Sequence, residues 1–203
     1  MSGVLQTVAA SFRSQLLPLD RNTPSYTRGA EHGVAFVIEP RTKLEAYLAQ
    51  REGNTLELKV QVPSGSDAKS VLRVMKTVCA FANGDGGSIL FGVDDEGEAV
   101  GLPEEPVRRL IDDVTNQVDS WVSPRPTVSF DVLPVDATGA QVVLELVVAA
   151  AGVLCGAGRP SEHPTVYVRH NGRSVPARPS EIEALVRSRS AGPAAGRFAS
   201  TWL

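Results

Sequence analysis

Glu52-Gly53-Asn54-Thr55-Leu56-Glu57-Leu58-Lys59 is the stretch that decides the architecture of this chain. From residue 55 to 61 the side chains alternate, with Leu56, Leu58 and Val60 pointing one way and Glu57, Lys59 and Gln61 the other. A period of two marks a strand with one covered face. A half-buried strand is therefore expected, with Glu57 and Lys59 roughly 6.6 Å apart on its polar side. Asp67 then suits the N-cap of a long helix reaching Asn83. Val71, Val74, Met75, Val78 and Phe81 or Ala82 form its apolar stripe. The string Asn83-Gly84-Asp85-Gly86-Gly87 ends it, because glycine tolerates the left-handed backbone that closes a helix. The apolar run 88–93 is short enough to be a central strand.

Working outward, Leu5, Val8, Phe12 and Leu16 set a helical stripe over residues 3–17. A polar stretch over 20–33 and a short apolar run over 34–38 follow. A helix is expected over 41–50 and another, acidic on its outer face, over 104–122. Residues 127–135 and 141–149 read as strands, joined over 136–140 by a loop suited to an antiparallel hairpin. Residues 152–162 read as a flexible loop. A strand over 165–170 turns at Asn171-Gly172, a strong hairpin signal, and returns over 173–177. A last helix over 180–188 would turn Ile182, Leu185 and Val186 inward, before a Gly/Ala/Ser-rich, mobile tail. The expected fold class is α+β: a mixed, largely antiparallel sheet covered by helices. The expected organisation is an N-terminal helix and connector over 1–40, one domain over 41–189 and a tail over 190–203.

Composition restricts the functions available. With 203 residues, 42% apolar and 21% charged, the chain can fill a real core. The net charge of −3 and pI near 5.7 exclude a general coating of basic charge, so any polyanion site must be a local patch. Cys79 and Cys155 stand alone, without metal-ligand or redox spacing, and fit a reducing, cytoplasmic setting. Arg13 interrupts the only apolar stretch near the N-terminus, which argues against a signal peptide, and no run reaches the roughly 18 apolar residues that span a bilayer.

Three acidic positions could serve chemistry. Glu57 lies on the polar strand face, Glu52 precedes a Gly-Asn break, and Asp94-Asp95-Glu96 begins beyond the run 88–93. Carboxylates converging at strand ends are a way to hold Mg²⁺ or Mn²⁺ against a phosphodiester. An acidic residue on a strand's open face is also commonly just solvated. Between residues 59 and 76 four cations, Lys59, Lys69, Arg73 and Lys76, face the single anion Asp67. Arg169, His170, Arg173 and Arg178 crowd the final hairpin, whereas residues 77–120 are strongly acidic. That segregation suits phosphate contacts on one surface, although Arg73 and Lys76 could equally solvate the outer side of their helix. The glycines at 84, 86 and 87 lack the Lys-Ser/Thr of a P-loop and follow a helix, the reverse of the phosphate-binding order, so no nucleotide cofactor is supported.

Four blocks in order resemble the AlbA-type domain of the Schlafen superfamily. They are Glu-x4-Glu-Leu-Lys at 52–59, Ala80 to Gly87, Leu90 to Gly97 with Gly101, and Tyr167-Val168-Arg169-His170-Asn171-Gly172 followed by Pro179-Ser180-Glu181-Ile182. The resemblance implies a nucleic-acid-binding fold. For members that cut RNA it implies three metal-holding catalytic carboxylates, which fall on Glu52, Glu57 and Asp95. Leu58 stands where an aromatic is usual. The zinc-binding cysteines and histidine of larger animal relatives have no counterpart, so no zinc is expected. Those relatives pair two lobes around a cleft, which a homodimer would rebuild here. Three functions stand as expectations: a Mg²⁺- or Mn²⁺-dependent endoribonuclease acting on structured RNA, a non-catalytic RNA- or DNA-binding module in regulation or defence, and a protein-interaction scaffold. Lys59, Lys69, Arg73, Lys76, Arg169 and Arg173 are the candidate nucleic-acid contacts.

Overall fold

The computed structural model describes residues 40–104 and 106–190. The helix expected over 3–17, the run over 34–38 and the tail beyond 190 lie outside the described residues. In chain order the elements are α1 (Pro40–Leu48), β1 (Leu56–Lys59), α2 (Ala68–Asn83), β2 (Gly87–Phe91), β3 (Leu102–Pro103), α3 (Val107–Trp121), β4 (Val122–Ser123), β5 (Val128–Pro134), β6 (Gln141–Val148), β7 (Gly156–Ala157), β8 (Tyr167–His170), β9 (Arg173–Pro176) and α4 (Pro179–Ser190). This is the α+β class the alternating patterns imply.

β1 and β2 pair in parallel across the α2 crossover, and β2 pairs antiparallel with β6. β5 runs along one edge of β6 from Val128 opposite Val148 to Pro134 opposite Val142, so β2 and β3 share the other edge. Strand alternation then divides the interior in two. Ile89, Phe91, Leu144 and Leu146 pack with Val71, Met75, Val78 and Phe81 of α2 and Val114 and Val118 of α3. Leu56, Leu58, Leu90, Leu133 and Val143 pack under Leu44 of α1. Phe81 and Phe91 are at most 1% exposed, and truncating either to alanine would cost about 3–5 kcal/mol.

Asp67 caps α2 as expected, Oδ1 accepting from Lys69 N at 3.0 Å and Ser70 N at 3.2 Å. The glycine string works differently from the simple helix stop. Gly84 has φ −106°, and the left-handed residue is Gly86, at φ +86°. A Cβ on Gly87 would sit 2.7 Å from Thr55 O and 2.9 Å from the Phe81 ring. The glycines therefore allow a helix-to-strand connection to press against β1. At the hairpin tip Asn171 (φ 49°) and Gly172 (φ 77°) are both left-handed, the backbone of a type I′ turn.

Four expectations are corrected. β1 is not half-buried, since Leu56, Glu57 and Leu58 are all buried. Residues 152–162 contain a buried strand, β7, which pairs with β4. The helix expected from 104 begins at Val107. Val186 does not face inward; it is 47% exposed, and α4 has no buried residue. Among the described residues no helix is long and apolar enough to cross a membrane.

Candidate nucleic-acid interface and carboxylate pair

The parallel register sets Glu57 beside Ile89 and Lys59 beside Phe91, so both side chains project to the α2 side of the sheet. On that side the β8–β9 hairpin closes over them, which is why alternation alone misreads the face as open. Glu57 is gripped from two directions: Oε1 lies 2.5 Å from Lys59 Nζ, and Oε2 accepts from Arg169 Nη2 at 2.6 Å. Lys59 Nζ also donates to Leu58 O at 2.7 Å and lies 3.8 Å from Glu52 Oε1. Glu52 Oε1 in turn accepts from Leu58 N at 2.9 Å. The structure therefore brings Glu52 and Glu57 together around one ammonium.

Asp95 stands apart. Gly92 N and Val93 N donate to Lys59 O, tying the end of β2 to the end of β1, and the chain then turns through 94–98. Asp94 Oδ1 holds that turn by accepting from Glu98 N at 2.7 Å, while Asp95 is exposed. Carboxylates are suitable donors for a hard divalent cation. Here, however, Lys59 and Arg169 already balance Glu52 and Glu57, and among the described residues no group of three or more His, Cys, Asp or Glu gathers to hold a metal. As placed, the three residues do not form a metal-holding set.

The cations divide into two kinds. Lys69 and Arg73 are exposed on one stripe of α2 and form no ion pair among the described residues. Lys76 continues that stripe, its Nζ 5.3 Å from the centre of the Tyr167 ring, and Arg173 is exposed at the hairpin tip. Arg169 is different. Its side chain is 6% exposed and donates to Gly53 O through Nε and Nη2 at 3.1 and 2.9 Å and to Ser174 Oγ at 3.0 Å, with its plane 5.0 Å from the Phe81 ring centre. The expectation of a surface phosphate contact is corrected by this inward turn. His170, at the turn, pairs with Glu181 Oε1 at 2.6 Å.

Two positions escaped the sequence reading. Asn83 ends α2 as a buried tie: Nδ2 donates to Cys155 O at 2.8 Å and Tyr167 O at 2.9 Å, and Oδ1 accepts from Cys155 N at 2.9 Å. It anchors β8, and so Arg169, to the helix. On the opposite face Glu145, wholly buried in β6, accepts from Ser88 Oγ at 2.8 Å and Tyr47 OH at 2.6 Å. Lys43 Nζ lies 2.7 Å from Glu145 Oε2 and 2.6 Å from Asp131 Oδ2, so α1 docks through charge as well as through Leu44. Burial works against the Lys43 charge, but the hydrogen bonds to Asp131 and Glu145 outweigh it and lift the ammonium to about 12. Only the acidic interruption of an apolar run at 145 hints at this cluster in the sequence.

A mixed sheet between helices, with exposed cations along one helix and a compensated carboxylate pair beside it, defines a small α+β domain. The chain matches the family model described as Schlafen, AlbA_2 over residues 52–178, and it belongs to that family. This membership suggests nucleic-acid binding. No curated protein matches the chain.

Proposed function

We propose that the domain binds nucleic acid along the outer stripe of α2, with Lys69, Arg73 and Lys76 facing phosphates and Arg173 extending the contact from the hairpin tip. Lys59 and Arg169 support that surface from behind. The observation that carries the reading is the exposure of Lys69 and Arg73 without ion-pair partners among the described residues. Charges already neutralised by carboxylates gain little from a phosphate, whereas these release counterions when one arrives. Structured RNA is the preferred class and DNA the alternative. The test is a titration of RNA and DNA duplexes and single strands across salt concentrations. Binding should weaken steeply with salt, and Arg73→Glu with Lys76→Glu should abolish it. No retention of any nucleic acid at low salt refutes the proposal.

One observation favours a second reading, a metal-dependent endoribonuclease: Glu52 and Glu57 converge on one point, the place now taken by the Lys59 ammonium. In that reading Lys59 would withdraw and the 94–98 turn would carry Asp95 toward Glu52 and Glu57, so that the three would hold Mg²⁺ or Mn²⁺, which would supply charge stabilisation at a phosphodiester and an activated water. Mn²⁺-dependent cleavage lost in Glu57→Gln, with binding retained, supports it. Wild-type protein that leaves RNA and DNA panels uncut with Mn²⁺ refutes it. A homodimer rebuilding a two-lobed cleft belongs to the same reading, and a monomer by light scattering at micromolar concentration counts against it. A cytoplasmic setting accords with the two free, buried thiols.

A further inference from the structure

Where the chain leaves β1 and enters α2 there is a cleft of about 280 Å³, walled on one side by Val60, Val62 and Ser64 and on the other by Ser70, Arg73 and Val74. Lys59 also borders it, so the cleft adjoins the carboxylate pair. Its chemistry is two-sided. Arg73 supplies an exposed guanidinium that forms no ion pair within 4 Å among the described residues, while Val60, 46% exposed, gives the lip an apolar surface. Asp67, the one carboxylate lining the cleft, accepts from Lys69 N, Ser70 N and Ser70 Oγ, and its charge is partly offset by Arg73, so a phosphate must settle on the Arg73 side. The volume sits at the small end of ligand pockets, far too narrow for a duplex and sufficient for about one nucleotide.

We infer that this cleft receives a single unpaired nucleotide, its phosphate on Arg73 and its sugar and base against the valines. The inference rests on the reading of α2 as the nucleic-acid surface and adds to it: Arg73 belongs to both the stripe and the cleft, so a strand lying along Lys69 and Lys76 delivers one nucleotide into the recess. The consequence is a preference for single-stranded segments, loops or ends over continuous duplex.

The test uses the full chain and two measurements. Fluorescence anisotropy compares single-stranded and duplex RNA on wild type and on Ser64→Trp, which fills the exposed rim without changing charge; circular dichroism confirms the fold. Ser64→Trp should weaken single-strand binding about tenfold and change duplex binding by less than about threefold. Separately, adenosine and uridine monophosphates should shift the methyl resonances of Val60, Val62 and Val74 in the wild type, where inorganic phosphate does not. Equal effects of Ser64→Trp on both nucleic acids, or unshifted methyls at millimolar nucleotide, overturn the inference while leaving the surface intact. Wild-type protein that binds no nucleic acid removes both.

Discussion

Replacing Arg169 with methionine should cost about 2–4 kcal/mol of stability, less than the loss expected for a fully orphaned buried charge. The substitution retains an apolar stem against the Phe81 ring, which the guanidinium plane overlies at 5.0 Å, and removes five polar contacts, the longest of them to Leu56 O at 3.4 Å. Gly53 O loses two donors, Ser174 Oγ loses one, and Glu57 Oε2 loses its partner at 2.6 Å. Stranding a buried charge costs about 3–5 kcal/mol when no partner remains. Lys59 stays on Oε1, however, so the carboxylate keeps one cation and the cost falls. A loss near 3 kcal/mol corresponds to a Tm lower by about 6–12 °C in a chain of this size. Calorimetry and urea unfolding would measure it, and a double-mutant cycle with Glu57→Gln isolates the pair; coupling of at least about 1 kcal/mol is expected. Stability within about 0.5 kcal/mol of wild type, with no coupling to Glu57, refutes the claim that the hairpin is pinned through this ion pair.

Three further outcomes follow from the same geometry. Asn83→Ala strips the side-chain partner from Tyr167 O and Cys155 N and leaves Cys155 O with only the Cys79 thiol, and should cost about 2–4 kcal/mol by urea unfolding, a loss below about 1 kcal/mol contradicting the tie. Gly87→Ala would force a Cβ to within 2.7 Å of Thr55 O and should destabilise by about 1–3 kcal/mol in thermal melts; an unchanged melt would mean the β1 junction yields freely. On the alkaline side, Lys43 is raised to about 12 from 10.5, so its contribution is complete below pH 10.5 and is lost as pH climbs through 12. Burial lifts Tyr47 and Cys79 in the same sense. Stability should therefore fall in that window, and Lys43→Met should start lower near neutrality and decline less steeply.

Local periodicity made much of this molecule legible. The alternation over Leu56–Lys59, the stripe Val71 to Phe81 and the Asn171-Gly172 turn each reflect contacts that neighbours in sequence dictate, and each element is found in place. What could not be read is what covers a face. Glu57 looked solvated because its cover, Arg169, comes from 112 residues later. Glu145 looked like a flaw in a strand because Lys43 and Tyr47 reach it from a helix preceding that strand by about a hundred residues. The family's carboxylates were legible as residue types, but their mutual placement depends on whether the turn at 94–98 approaches β1, a tertiary matter that no spacing encodes.

The 112-residue span between Glu57 and Arg169 also has a consequence for synthesis. A nascent chain exposes the acidic strand early and the guanidinium that compensates it late. Until the hairpin emerges, the strand carrying Glu57 keeps that side hydrated. Vectorial growth thus leaves the region around Glu57 incomplete until the hairpin is made, and a chain cut short before Arg169 would carry α1 to α3 yet never acquire this arrangement.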